Sequence, residues 1–339
     1  MINQSYRLHA PKQFRIDVID EKLKENDVIV RPTYLSICAA DQRYFTGRRS
    51  PEALKKKLPM ALIHEAVGTV LYDPKGKIKK GTKVVLIPNT PTEESKVIKE
   101  NYLRSSKFKS SGIDGFMQSF VVIDRNRIIK YSNLDDRIAV LLELLSVSMN
   151  ALDHFEKLSH STKDTIGVWG CGNVGLCTAL ILKYKYPKSK IIVFNKTKAK
   201  LSNVPFADET YTIDEIPEDL KVDHAFECVG GVGSSDAINQ IIDVINPQGT
   251  ISLMGVNEEP VPINTRMVLE KGLKLIGNSR SSYEDFANSI KFLQDYPKGH
   301  EYLNNIINDE IEIKDIKDIT RAFEASVQND YKTIMRWEI

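Results

Sequence analysis

The sequence predicts an α/β chain in two parts, one β-rich and one built on a parallel sheet. Three observations lead there. Short alternating runs divided by Gly, Pro and Asn/Asp turns fill residues 1–145. From residue 146 to 285, apolar strand-length runs alternate with helix-length stretches, the pattern of βαβ units. The length, 339 residues, exceeds what one hydrophobic core usually serves.

Taken in order, "DVIVRPTYLSI", "EAVGTVLYD", "TKVVLIP" and "FMQSFVVI" read as strands of the first part. The polar stretch 88–112 reads as a long excursion with room for one helix. "TIGVWG", "KIIVFN", "HAFECVG", "TISLMGV" and "KLIGNS" read as the strands of the second part, and "NVGLCTALILKYKY" as its first helix. The tail, 285–339, reads as helical with a final strand "KTIMRWEI".

Bulk composition narrows the function classes. A net charge of +2 with scattered lysines gives no reason to expect a nucleic-acid partner. The start of the chain has no signal-like apolar core, and the longest apolar run, "IAVLLELLSVSM", is too short to span a membrane and carries Glu143. The four cysteines form no C-x-x-C pair, so a disulfide framework is not expected. The expected setting is cytoplasmic, away from membranes.

The strongest motif is "IGVWGCGNVGLCTAL", with Gly170, Gly172 and Gly175 spaced G-x-G-x-x-G after a strand and at the start of a helix. In that context Gly170 permits the turn, Gly172 lets backbone approach a pyrophosphate, and Gly175 lets helix and strand pack closely. Asn173 and Val174 complete the turn, and the helix N-terminus offers N–H groups to phosphate. This is the dinucleotide fingerprint of a Rossmann domain, a doubly wound parallel sheet. The next strand ends at Asn195, 20 residues after Gly175, where an NAD-binding domain usually places a carboxylate on the ribose. Asn195 carries no charge, and Lys196, Thr197 and Lys198 follow; a 2′-phosphate would meet cations there, which favours NADPH over NADH. The bland alternative is a solvated lysine loop.

Metal-ligand types occur in the first part. Cys38 follows an alternating run, His64 and Glu65 stand together at the edge of another, and Glu143 lies in an apolar segment where a carboxylate is costly unless paired, protonated or metal-bound. Singly, each is ambiguous: a lone cysteine is more often core, and a lone His–Glu pair more often satisfied structure. Together, Cys, His and Glu can make a tetrahedral zinc site with an open position.

These stretches, above all "SICAAD", "PMALIHEAVG", "LLELLSVSMNAL", "VWGCGNVG" and "AFECVGG", resemble the zinc-dependent medium-chain dehydrogenase/reductases on their polyol dehydrogenase side, in the right order over nearly the whole chain. "SICAADQRY", "PNTPTE" and "DHAFECVGG" resemble most the ribulose-5-phosphate reductases of ribitol-phosphate and teichoic-acid synthesis. The resemblance implies a GroES-like β-rich catalytic domain at 1–145 and 286–339, a Rossmann domain at 146–285, and an active site in the cleft between them. It implies that Cys38 and His64 are zinc ligands, that Glu65 and Glu143 supply a further carboxylate ligand, and that Asp41 orients the site. The family's hydroxyl and histidine of the proton relay are replaced by Ala40 and Arg43, and Ile63 replaces a frequent glycine. No cysteine occurs in 88–112, so one catalytic zinc per chain and no structural zinc are expected.

Arg43, five residues past Cys38, suits a substrate phosphate or a salt bridge equally; Arg104, Lys107 and Lys109 are weaker phosphate candidates. The activity implied is NADPH-dependent reduction of D-ribulose 5-phosphate to D-ribitol 5-phosphate. Competing expectations are an NAD-dependent xylitol- or sorbitol-type dehydrogenase and a zinc-free NADPH-binding protein of the quinone-reductase or crystallin type. A homodimer and a cytidylyltransferase partner consuming ribitol 5-phosphate are also expected.

Overall fold

The computed structural model describes all residues, 1–339. The chain divides into two compact units, Met1–Glu143 with Ser282–Gln294 and Ile306–Ile339, and Leu144–Ser281 with Asp295–Asn305. The tail is therefore not one piece as expected. Residues 295–305 return to the second unit, where Tyr296 packs on Tyr184 and Tyr302 on Phe206. No helix is long and apolar enough to cross a membrane.

The first unit is β-rich. Its main sheet runs Ile128–Lys130, Lys83–Leu86, Glu65–Tyr72, Asp27–Ser36, Lys332–Trp337, Ile307–Ile313, with Val121–Asp124 also on Asp27–Ser36. Strand Ile307–Ile313 lies in the tail read as helical. It is an edge strand whose exposed positions are Asn308 and Glu310 and of which only Ile313 is buried, so its apolar alternation is faint in the sequence. Phe14, Phe45 and Phe323 pack together in the core, and Tyr6 meets Trp337 edge-on. The excursion 88–112 contains one 3-10 turn, Glu100–Tyr102, and a two-strand ribbon rather than an α-helix.

The second unit holds a six-stranded parallel sheet, ordered Glu209–Thr212, Lys190–Asn195, Thr165–Trp169, Val222–Glu227, Ile245–Leu253, Lys274–Gly277. Numbered along the chain this is 3-2-1-4-5-6, the doubly wound order, with its switch point between Thr165–Trp169 and Val222–Glu227. Ligands of such sheets bind at that point, beyond the carboxyl ends of the strands.

His224 is buried in this sheet with both ring nitrogens used. Nε2–H donates to the Thr162 carbonyl at 2.9 Å, and Nδ1 accepts from the Thr250 N–H at 3.2 Å. Only the neutral ring satisfies both bonds, and burial, then His160, holds its pKa down to about 4. The unfolded chain takes up this proton near pH ~6.5, so stability falls as pH drops from there toward 4, by about 3 kcal/mol in all. Thermal unfolding across that window should show this decline in the wild type and a shallower one in His224→Gln. Equal slopes would contradict it.

Candidate active site

Cys38 lies between strand Asp27–Ser36 and helix Ala39–Phe45, as the helix N-cap. Its Sγ accepts from the Ala40 N–H at 3.2 Å, and Asp41 Oδ2 accepts from the Cys38 N–H at 3.2 Å. This capping box satisfies donors at the helix start and fixes the sulfur's position. His64 places Nε2 3.5 Å from that sulfur, its ring against Phe108 with centroids 5.3 Å apart.

Asp41 ties the site together. It is fully buried, and its Oδ1 accepts from the Ile63 N–H at 3.1 Å and the Ser110 hydroxyl at 2.9 Å. Oδ1 also lies 3.9 Å from His64 Nδ1. Ile63 and Ser110 both have positive φ, 71° and 61°. That conformation costs a non-glycine residue about 1–3 kcal/mol and is rarest for a β-branched one. The backbone at Ile63 is left-handed, a conformation glycine adopts freely, which accounts for the glycine that the family resemblance led us to expect there. In this chain Ile63 is held there by Asp41 and by the Phe116 N–H on its carbonyl at 2.8 Å. The strained turn sets the position of His64.

Cys38, His64 and Glu65 each offer one ligand atom, all within 4.8 Å of one another. Glu65 is not idle, however. Lys332 Nζ donates to its two carboxylate oxygens at 2.5 and 2.6 Å and lies 3.4 Å from the Ile37 carbonyl; both side chains are 2% exposed. The sheet register explains the meeting, since Ser36 pairs with Glu65 on one side and Ile334 on the other. Glu143, in the first turn of helix Leu142–Leu158, is also buried but stands outside the 4.8 Å group.

The electrostatics follow from the crowding. Burial pushes the Glu143 carboxyl up to about 7, against the pull of His64. Burial would pull His64 down, but Cys38 and Asp41 outweigh it and hold the imidazole well above its usual range. Burial and then Asp41 push the Cys38 thiol up. Burial also opposes the Lys332 ammonium, yet Glu65 outweighs it and keeps the charge. Three buried carboxylates, Asp41, Glu65 and Glu143, thus face one buried ammonium. A soft sulfur, an imidazole nitrogen and carboxylate oxygens with surplus negative charge form a donor set that fits a zinc ion.

The second unit carries a recess of about 320 Å³ at the switch point. Gly170, at φ 97°, makes the turn. A Cβ on Gly172 would meet nothing within 4 Å, whereas one on Gly175 would fall 1.8 Å from the Gly170 carbonyl oxygen. Gly172 therefore leaves room for a ligand, and Gly175 permits the packing. Asn173 begins helix Asn173–Lys185, and neither it nor Val174 lines the recess. Asn195 does, but its amide is engaged: Oδ1 accepts from the Cys171 N–H at 3.1 Å and Nδ2 donates to the Thr197 carbonyl at 2.9 Å. Of the residues expected at a 2′-phosphate, Lys196 lines the recess; Thr197 and Lys198 do not, and Lys200 is the second lysine there.

The structure thus brings together Cys38, Asp41, His64 and Glu65, while Arg43 lies further along the same helix and Arg104 and Lys107 are exposed. Sequence reasoning missed Lys332, Ser110 and Lys200. A lysine inside the apolar strand "YKTIMRW" was the one available signal, because a buried ammonium demands a carboxylate.

Comparison with known proteins agrees with this architecture. Residues 24–133 match the alcohol dehydrogenase GroES-like domain, and residues 136–337 match the glucose dehydrogenase C-terminus. The chain is 51% identical to the ribulose-5-phosphate reductase of Bacillus spizizenii over 341 residues, covering 100% of both chains. It is 52% identical to ribulose-5-phosphate reductase 1 of Staphylococcus aureus, covering 99% of each. The crystal structure of S. aureus TarJ in complex with NADPH superposes with a TM-score of 0.90 at 48% identity, covering 100% of both chains. With a zinc-type donor set in one unit, a dinucleotide recess in the other and this likeness along its full length, the chain belongs to the medium-chain alcohol dehydrogenases, in their ribulose-5-phosphate reductase family.

Proposed function

We propose that this chain reduces D-ribulose 5-phosphate to D-ribitol 5-phosphate with NADPH. The observation that carries the reading is the Cys38–His64–Glu65 cluster, in a chain that matches ribulose-5-phosphate reductases end to end. The first unit serves as the catalytic domain and the second as the dinucleotide-binding domain.

Cys38 and His64 would hold one zinc ion together with a carboxylate of Glu65 or Glu143, and Lys332 pairs with Glu65 beside it. Zinc there supplies a Lewis acid for the substrate's carbonyl. The hydride is the nicotinamide's. The chain's own residues position these parts. Asp41 holds the backbone at both Cys38 and Ile63, so the thiolate and imidazole keep one geometry. Lys332 neutralises Glu65, so the cluster's negative charge does not repel a phosphorylated substrate as strongly. Gly172 and the start of helix Asn173–Lys185 receive the pyrophosphate. Lys196 and Lys200 face the 2′-phosphate, and Asn195 braces the glycine loop instead of binding ribose. Arg43 anchors the phosphate ester of the substrate. The proposal includes a homodimer and a cytidylyltransferase that consumes the product.

The cofactor assignment predicts that Lys196→Ala with Lys200→Ala raises the KM for NADPH about tenfold or more while that for NADH stays within about twofold, since each lost charge-assisted phosphate contact is worth about 1.5–3 kcal/mol. Steady-state kinetics with both cofactors checks it; equal changes would contradict it. The reaction itself is tested by product identification. Incubation with NADPH and D-ribulose 5-phosphate should yield D-ribitol 5-phosphate, one per NADPH oxidised. The C2 epimer, or no pentitol phosphate, would overturn the reading.

A further inference from the structure

Glu227 ends the fourth strand of the parallel sheet, Val222–Glu227, and is only 1% exposed. A carboxylate buried there is costly unless it is hydrogen-bonded. Its partners are three backbone N–H groups. Oε1 accepts from Val229 and Gly230, both at 2.9 Å, and Oε2 accepts from Gly255 at 3.0 Å. The Glu227 carbonyl also accepts from the Met254 N–H at 2.9 Å and the Gly255 N–H at 3.1 Å. One residue thus fastens two loops, its own and the one after the fifth strand, Ile245–Leu253.

The two loops are built for that contact. The Gly231 N–H donates to the Val256 carbonyl at 3.0 Å. A Cβ on Gly255 would fall 2.4 Å from the Gly230 nitrogen and 2.5 Å from Glu227 Oε1. Gly230 takes φ 63°, and a Cβ there would meet the Val256 nitrogen at 3.0 Å. On its other side the Glu227 loop closes on the fingerprint turn. The Cys228 N–H donates to the Trp169 carbonyl at 2.8 Å, and a Cβ on Gly170 would meet the Cys228 carbonyl at 3.0 Å. Cys228 and Val229 thereby become part of the wall of the dinucleotide recess.

The place of this wall in the sheet points to the part of the cofactor it meets. A doubly wound sheet has two mononucleotide-binding halves. The half with the first three strands carries the fingerprint turn, Asn195, Lys196 and Lys200, the side of adenosine and its 2′-phosphate. The loops after the fourth and fifth strands belong to the other half, which is left for the nicotinamide nucleotide. Their side chains suit a flat, uncharged ring: Val229 is 43% exposed and Val256 62%, on loops joined backbone to backbone. We infer that Glu227 is a positioning residue for the nicotinamide ring of NADPH, acting through the two loops that its carboxylate ties together. This rests on the proposed cofactor and adds a residue that does not itself line the recess.

The test compares two ligands on the zinc-replete full chain by calorimetry: NADPH, and 2′-phospho-ADP-ribose, which lacks the nicotinamide ring. In Glu227→Gln one oxygen becomes an NH2 group that faces an N–H donor, so one loop loses its acceptor. In Gly255→Ala the new Cβ parts the loops from the other side. Each variant should raise the Kd for NADPH about tenfold or more, the worth of one bond to a charged group, and leave that for 2′-phospho-ADP-ribose within about twofold. Unchanged binding of the shorter ligand also shows that the variant is folded. Equal weakening of both ligands, or loss of both, would give Glu227 a general structural role and overturn the inference. So would an unchanged Kd for NADPH in Glu227→Gln. A wild type that binds neither ligand would overturn the proposed cofactor itself, a different result from either.

Discussion

Cys38→Ser should lose its zinc and its turnover while still binding NADPH. The sulfur is the soft donor of the cluster, 3.5 Å from His64 Nε2 and held by the helix cap. A hydroxyl can keep the cap bond to the Ala40 N–H, so the helix start should survive and the variant should fold. It cannot offer a thiolate to the metal. Changes in the residues that merely orient metal ligands cost about 10–100-fold in affinity or activity, and loss of a ligand should exceed about a hundredfold. The recess for NADPH lies among residues of the second unit alone, so cofactor fluorescence titration should return a near wild-type Kd. Elemental analysis should find about one zinc per wild-type chain. Full zinc content or turnover in the serine variant would contradict the metal assignment.

Lys332→Met should be the most destabilising single change at the site. It strands the Glu65 carboxylate in a pocket where both partners are 2% exposed. Removing one partner of a buried ion pair costs about 3–5 kcal/mol, because the remaining charge is uncompensated. Glu65 can relieve that cost by protonation or by turning to the metal, so zinc should resist chelators more strongly in this variant while turnover falls. The double variant Lys332→Met, Glu65→Gln should recover much of the stability, because no buried charge remains alone. Denaturant unfolding of the two singles and the double measures the coupling. A loss below about 1 kcal/mol in Lys332→Met would mean the pair behaves as a solvated one.

Much of this molecule could be read from its residues, for reasons that differ by part. The parallel sheet was legible because strands buried on both faces are continuous apolar runs, and because G-x-G-x-x-G between strand and helix leaves few other readings. His64 and Glu65 were legible through their place at the edge of an apolar run, where strand Glu65–Tyr72 begins. What escaped depends on contacts across long stretches of chain. Lys332 meets Glu65 across 267 residues, through a sheet register that no local pattern specifies. Ser110 and Ile63 are ordinary residues in the sequence, and only their shared bond to Asp41 and their left-handed backbone mark them as part of the site. Lys200 replaced Lys198 at the recess because the short helix Lys198–Leu201 turns Lys198 away, a detail below the resolution of a charge pattern. The return of residues 295–305 to the second unit rests on aromatic packing at Tyr296 and Tyr302.

The central claim is that this chain uses NADPH to reduce a phosphorylated ketopentose. Its most direct test compares initial rates of NADPH oxidation by zinc-replete protein with D-ribulose 5-phosphate and with free D-ribulose, repeated with NADH. The account predicts strong turnover with the phosphate ester and NADPH, and rates lower by about a hundredfold or more when either phosphate is missing, as expected for lost charge-assisted phosphate bonds. Equal turnover of free D-ribulose with NADH would contradict it and make the protein a polyol dehydrogenase, with Arg43 and Lys200 as surface charges.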